Sequence, residues 1–180
     1  MRFIILLAGL LALAGCDREN AKEQQGAPAE APAVPQAGIN RGQAGTPAPA
    51  IAFRDPSGKE TSLAAFAGRP LLVNLWATWC APCIKELPTL ARLSSSQDAI
   101  TVLALSQDMQ PQPAVAAFLV ERKIAVKPYQ DSEMAMSSAL GANILPTTIL
   151  YGADGKEIWR FTGDLDWTGA KAAELLKEAR

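Results

Sequence analysis

The clearest pattern along the chain is an apolar run from Leu71 to Trp76, interrupted only by Asn74. Continuous apolar runs of this length are typical of parallel strands that are covered on both faces of a sheet. Beyond the run, apolar side chains recur at steps of three and four residues, at Ile84, Leu87, Leu90, Ala91 and Leu93. This spacing predicts a helix over residues 80–94. The pattern therefore predicts a buried strand that leads directly into a helix.

More strands and helices are predicted on either side of this unit. Apolar or alternating stretches bounded by turn residues predict strands at 50–54, 59–62, 100–105, 147–151 and 157–161. The turn sequences Asp55-Pro-Ser-Gly58 and Ala153-Asp-Gly155 join the first two and the last two of these strands into hairpins. Helices are predicted at 114–122, 134–140 and 167–179, the second of them ending at Gly141.

The N-terminal segment has the pattern of a secretion signal. Arg2 is followed by twelve apolar residues, 3–14, which are too few for a membrane span of about 20 residues but suit a signal peptide. Residues 17–47 are rich in Ala, Pro, Gln, Gly and Glu and contain almost no large apolar side chains. Because such a segment cannot bury enough apolar surface to offset its ordering, we predict a disordered linker. The remaining residues, 48–180, suit a single domain.

The strongest candidates for chemistry are the cysteines Cys80 and Cys83, which follow the apolar run. Cys80 falls at the start of the predicted helix, where free backbone N–H groups and the helix dipole favour a thiolate over a thiol. Such a position lowers a cysteine pKa from about 8.5 into the range of about 3.5 to 7.5. Cys83 lies one turn further along, so we expect it to be more buried and less acidic. The spacing predicts a redox pair in which Cys80 attacks a substrate and Cys83 resolves the mixed disulfide.

Two other interpretations of the cysteine pair are disfavoured by the residue counts. A closed zinc site needs about four ligands, whereas the chain has no histidine and only one further cysteine, Cys16. A purely structural disulfide across so short a loop would restrict the unfolded chain little. The formal net charge of −1 lacks the basic excess of nucleic-acid-binding domains, so we expect no nucleic acid as a partner.

These residues carry a family resemblance. The sequence Trp79-Cys-Ala-Pro-Cys83 resembles the active site of the thioredoxin superfamily, and Val73-Asn-Leu-Trp-Ala-Thr-Trp-Cys80 resembles the membrane-tethered TlpA/ResA/CcmG-type thiol-disulfide oxidoreductases of the bacterial cell envelope. Pro88 and Leu145-Pro-Thr-Thr148 match the helix kink and the cis-proline loop of that fold. The resemblance covers about residues 48–180. It implies an α/β, thioredoxin-like fold whose central mixed β-sheet is flanked by helices, with an N-terminal β-hairpin and a central insertion at 107–132.

The resemblance also implies roles for residues around the cysteines. Asn74 stands where thioredoxin has a buried aspartate, and Glu86 stands where the TlpA/ResA-like group has a glutamate. Glu86 is therefore expected to tune or relay the proton of the thiol of Cys83. The alternative is a solvated helix residue with no role.

Substrate binding is expected at the proline loop and the tryptophans. The resemblance implies that the bond before Pro146 is cis and that the backbone of Leu145 pairs with an extended substrate. Thr147 is either a residue that tunes the site or an ordinary strand residue. Trp79 and Trp76 are candidates for an apolar docking surface, although Trp76 fits the core equally well.

The end of the signal segment resembles a bacterial lipobox, Leu13-Ala-Gly-Cys16. This resemblance implies cleavage after residue 15 and lipidation of Cys16, and Asp17 resembles an inner-membrane retention signal. The alternatives are an ordinary signal peptide and an uncleaved anchor. The expected location is the cell envelope, with the catalytic domain in the periplasm and the lipid in the inner membrane.

The resemblance implies a thiol-disulfide oxidoreductase that reduces protein disulfides, with apocytochrome c during cytochrome c maturation as the leading substrate. A DsbD/CcdA-like membrane protein would re-reduce the enzyme, and the redox-active disulfide Cys80–Cys83 would serve without a metal or another cofactor. A DsbA-like oxidase is an alternative, because the sequence does not fix the reduction potential. A non-catalytic lipoprotein that binds a partner or copper is another alternative.

Overall fold

The computed structural model describes residues 38–96 and 99–179. The predicted signal peptide, the predicted lipidation site Cys16, Asp17 and the predicted linker as far as residue 37 lie outside the described residues. Within the described ranges, no helix has the length and apolar character that a bilayer crossing requires.

The described residues contain a single mixed sheet of eight strands. The strands are β1 (Gly38–Asn40), β2 (Ala52–Arg54), β3 (Glu60–Ser62), β4 (Leu71–Trp76), β5 (Thr101–Ser106), β6 (Tyr129–Gln130), β7 (Thr147–Tyr151) and β8 (Glu157–Thr162). Their order in the sheet is β1-β8-β7-β4-β5-β6-β2-β3. β4 lies at the centre, parallel to β5 and antiparallel to β7. The mixed sheet and the N-terminal hairpin of β2 and β3 agree with the sequence-based prediction.

Helices cover both faces of this sheet. They are α1 (Ala81–Ser96), α2 (Gln112–Glu121), α3 (Ala135–Leu140) and α4 (Ala170–Leu176), with a 3₁₀ turn at Leu63–Phe66. The side chains of Leu72 and Trp76 on β4 belong to the core that includes α1, α2 and α4. Val73 and Leu75 point to the opposite face and belong to the core that includes α3. The apolar run is continuous because β4 is buried on both faces.

The last helix is shorter than the predicted 167–179. Asp166 accepts hydrogen bonds from the backbone N–H and the hydroxyl of Thr168, and its carbonyl accepts one from the N–H of Gly169. Local hydrogen bonds of this kind compete with helical ones. The helix therefore begins only at Ala170, and the apolar Trp167 belongs to the preceding turn.

The predicted linker boundary at residue 47 is wrong, because residues 38–47 belong to the folded domain. β1 pairs with β8, the N–H of Gly45 donates to the carbonyl of Glu157 at 2.7 Å, and Pro47 forms a bridge with Lys156. These residues are ordered by backbone hydrogen bonds, which need no large apolar side chains. A prediction based on composition alone therefore placed the domain boundary too late.

Candidate redox site

Cys80 and Cys83 form a disulfide at the N-terminal end of α1. The carbonyl of Cys80 accepts the helical hydrogen bond from Ile84 at 3.1 Å, and its Sγ accepts a hydrogen bond from the N–H of Cys83 at 3.3 Å. Cys80 is 6% exposed and Cys83 is fully buried, which agrees with the predicted order of burial. After reduction, the N–H and the helix dipole would favour the thiolate form of Cys80.

An open groove of about 630 Å³ runs beside Cys80. Its walls include Trp79 and Leu145, together with Glu133 and Met134 near α3. Trp79 is 66% exposed, so it presents an apolar surface beside Cys80. The groove can accommodate a polypeptide segment in contact with Cys80.

The two tryptophans near the cysteines lie in different environments. Trp76 is fully buried in the core below α1, while Trp79 lies at the rim of the groove. The core interpretation of Trp76 is therefore confirmed, and its assignment to a docking surface is wrong.

The proline loop is also placed next to the cysteine pair. The bond between Leu145 and Pro146 is cis, as expected, and the carbonyl of Pro146 accepts a hydrogen bond from Gly163. Leu145 lines the groove. Thr147 is buried, and its hydroxyl donates to the carbonyl of Ile144 at 2.6 Å. The side chain of Thr147 thus supports the conformation of the loop.

Glu86 is the most unusual group in the site because its carboxylate is buried, with only 2% of the residue exposed. Its Oε1 accepts a hydrogen bond from Asn74 Nδ2 at 2.6 Å. Its Oε2 accepts hydrogen bonds from the N–H of Leu165 at 3.0 Å and from Trp167 Nε1 at 3.1 Å. The interpretation of Glu86 as a solvated helix residue is therefore wrong.

Burial raises the pKa of Glu86 to about 7, although the hydrogen bonds from Leu165, Asn74 and Trp167 oppose this shift. Residues three apart on a helix are neighbours on its surface, so Glu86 lies one turn beyond Cys83. Both residues face the buried side of α1. The site thus combines the inner cysteine with a carboxyl group that can exchange a proton near neutral pH.

Asp108 is a buried acidic residue near the site that the sequence analysis missed. Its carboxylate accepts a hydrogen bond from the N–H of Thr78, two residues before Cys80. Asp108 follows the end of β5, which is parallel to β4. Polar residues that follow the carboxyl ends of neighbouring parallel strands meet at one edge of the sheet. That rule could have identified Asp108 from the sequence.

No group of three His, Cys, Asp or Glu side chains in the described part of the chain is arranged to hold a metal ion.

Comparisons with known proteins identify relatives of the chain. The family model described as Redoxin matches residues 43–176. The thiol-disulfide oxidoreductase ResA of Bacillus thuringiensis is 30% identical over 136 residues, which cover 74% of this chain and 77% of that protein. The range matched by the family model, 43–176, includes the cysteine pair, the residues lining the groove and the proline loop.

Solved structures show the same architecture. A candidate thiol:disulfide interchange protein DsbE from Chlorobium tepidum gives a TM-score of 0.66 at 20% identity, covering 76% of this chain and 98% of that one. A candidate thiol-disulfide oxidoreductase from Bacteroides vulgatus gives a TM-score of 0.65 at 25% identity, covering 76% and 96%. The expected thioredoxin-like α/β fold is confirmed.

The buried carboxyl group of Glu86 predicts an unusual dependence of stability on pH. Because its pKa is about 7 in the folded protein against 4.5 for the ordinary group, the folded state binds this proton more tightly than the unfolded state. Its contribution to stability is fully present below pH 4.5 and is lost as the pH rises through 7. The expected loss in the free energy of unfolding is about 3 kcal/mol.

Urea unfolding of the oxidised protein between pH 4.5 and 8 measures this loss. Glu86→Gln should remove the slope, since glutamine does not ionise. Glu174→Gln is the control, because Glu174 is exposed on α4 and pairs with the likewise exposed Lys177. A variant Glu86→Gln that keeps the wild-type slope would contradict the assignment.

Proposed function

The chain belongs to the Redoxin family and is a thiol-disulfide oxidoreductase, and from this premise we propose that it donates electrons to disulfides in other proteins. The observation that carries the proposal is the Cys80–Cys83 disulfide at the start of α1, open to the groove lined by Trp79 and Leu145. A protein segment in the groove brings its disulfide to Cys80. The redox-active disulfide is the only redox group that this reaction needs.

The catalytic cycle starts from the reduced enzyme. The thiolate of Cys80 attacks one sulfur of the substrate disulfide, which forms a mixed disulfide and releases the other substrate sulfur as a thiolate. Cys83 transfers its proton to the carboxylate of Glu86 and attacks Cys80 Sγ. The substrate leaves with both sulfurs reduced, and two electrons have passed from the enzyme to the substrate. A membrane thiol donor of the DsbD/CcdA kind then restores the dithiol.

The groove suits protein substrates of varied sequence. Its apolar walls at Trp79 and Leu145 accept varied side chains. Pairing with the backbone of Leu145 requires only that the substrate segment be extended. The cysteines of apocytochrome c are the substrate that we propose. The resemblance of residues 73–80 to the TlpA/ResA/CcmG-type oxidoreductases of the cell envelope supports a role there.

The proposed location depends on the N-terminal segment. Cleavage before Cys16 and lipidation of its thiol and amino group would attach the domain to the inner membrane, with the catalytic site in the periplasm. The lipobox-like sequence Leu13-Ala-Gly-Cys16 and the following Asp17 support this proposal.

Insulin reduction with dithiothreitol as the electron source tests the roles of the two cysteines. Cys80→Ser should lower turnover to the background rate because the attacking thiolate is lost. Cys83→Ser, reduced and then freed of dithiothreitol before insulin is added, should stall as a covalent mixed disulfide, visible on a non-reducing gel. Cys16→Ser is the matched control and should keep the wild-type rate. Turnover by Cys80→Ser above background would contradict the assignment.

Equilibration of the Cys80–Cys83 pair with glutathione and dithiothreitol buffers tests the direction of electron flow. A reductant should have a reduction potential below about −220 mV, towards the value of thioredoxin. A potential near about −120 mV would instead identify a DsbA-like oxidase and overturn the proposed reductase.

Labelling with radioactive palmitate in a bacterial host tests the membrane anchor. The wild-type chain should take up the label and fractionate with the inner membrane, whereas Cys16→Ser should remain unlabelled. Equal labelling of the two proteins would refute lipidation at Cys16.

A further inference from the structure

Asp108 is a buried carboxylate that the catalytic cycle does not use. Only 2% of the residue is exposed. Its Oδ2 accepts hydrogen bonds from the N–H of Thr78 at 3.0 Å and from the hydroxyl of Ser106 at 2.7 Å. Its Oδ1 accepts a hydrogen bond from the hydroxyl of Thr78 at 2.6 Å. Both carboxylate oxygens of Asp108 therefore accept hydrogen bonds from groups that can donate.

The backbone around Asp108 is fixed by further side chains. Gln130 Nε2 donates to the carbonyl of Asp108 at 2.8 Å and to that of Gln110 at 2.7 Å. Gln110 Nε2 in turn donates to the hydroxyl of Thr78 at 3.1 Å. The loop after β5 and the loop before Cys80 are therefore joined at several points.

The charge of Asp108 lies close to the attacking cysteine. Two residues of chain span at most about 7 Å, so a 3.0 Å hydrogen bond to Thr78 N places Asp108 Oδ2 within about 10 Å of Cys80 N. The ion pairs of the described residues do not include Asp108. Its negative charge is therefore balanced by hydrogen-bond dipoles rather than by a neighbouring cation.

Other charged groups around Cys80 have different surroundings. On α1, Lys85 is exposed and paired with Asp164, and the carboxylate of Glu86 is hydrogen-bonded to Leu165 and Trp167. Glu133 is another residue that lines the groove. Among these charged groups of the described residues, Asp108 is the one hydrogen-bonded to the short loop that carries Cys80.

We propose that Asp108 keeps the Cys80–Cys83 pair strongly reducing by raising the free energy of the Cys80 thiolate. Reduction of the disulfide takes two electrons and one proton and yields the thiolate of Cys80 and the thiol of Cys83. A nearby negative charge opposes the thiolate, so it disfavours the reduced enzyme and favours transfer of the electrons to a substrate. The biological meaning of this effect rests on the proposed reductase function.

The variant Asp108→Asn tests the inference because it removes the charge and keeps the size. Its amide oxygen, in the place of Oδ2, can still accept from the N–H of Thr78 and the hydroxyl of Ser106, and its Nδ2 can donate to the hydroxyl of Thr78. At about 10 Å and an effective dielectric constant of about 20, two unit charges shift each other's pKa by about one unit. The expected result is a lower pKa of Cys80 and a shift of up to about tenfold towards the reduced form in glutathione buffers, equivalent to about 30 mV.

Two control variants separate charge from loss of structure. Glu157→Gln neutralises another buried acid, which lies opposite Tyr151 and thus near the start of β4, at the far end from Cys80. It should leave the potential unchanged even if it lowers stability. Thr78→Val removes one hydrogen bond to Asp108 and keeps the charge, so it should not reproduce the shift. Asp108→Ser replaces Asp108→Asn if the latter does not fold.

The outcomes are distinct. A more positive potential in the neutral Asp108 variant, absent from both controls, supports the inference. An unchanged or more negative potential overturns it, as does an equal shift in Glu157→Gln or Thr78→Val. The comparison is between variants, so an oxidising wild-type potential would reject the proposed reductase function while leaving the effect of Asp108 measurable.

Discussion

The position of β4 between β5 and β7 is the constraint on which the rest of the structure depends. Because both edges of β4 are hydrogen-bonded and both faces are covered, its carboxyl end is fixed and delivers Cys80 to the start of α1. The antiparallel β7 begins at the same edge and brings Pro146 there, and the parallel β5 ends there and brings Asp108. Residues far apart in the chain meet at the cysteines through strand direction alone.

The same arrangement places polar groups in an apolar core. Asn74 is the single polar side chain on β4, and it binds Glu86 and Thr148 without any exposure to solvent. Buried polar groups are costly unless they are hydrogen-bonded. The turn at Leu165 and Trp167 supplies the remaining donors to Glu86, so this turn and α1 are held together by the carboxyl group that we propose as the proton acceptor for Cys83.

Local sequence patterns predicted the elements that are determined by residues close together in the chain. The run at Leu71–Trp76 and the cysteine pair were sufficient for β4, α1 and the location of the redox site. The partners of Glu86 could not be predicted, since Leu165 and Trp167 lie 79 and 81 positions away and are brought close only by the fold. The pairing of β1 was missed for a related reason, because hydrogen bonds between backbones leave little trace in composition.

The pairing of β1 with β8 affects the tendency of the protein to aggregate in solution. β8 has six residues, and an uncovered strand of that length would offer a template for joining the sheets of two molecules. β1 covers its end at Arg160 to Thr162, and the segment leading to Pro47 covers its start near Glu157. The strands left at the two edges of the sheet, β1 and β3, have only three residues each. Residues 38–47 thus protect the protein against aggregation in which the sheets of two molecules pair edge to edge.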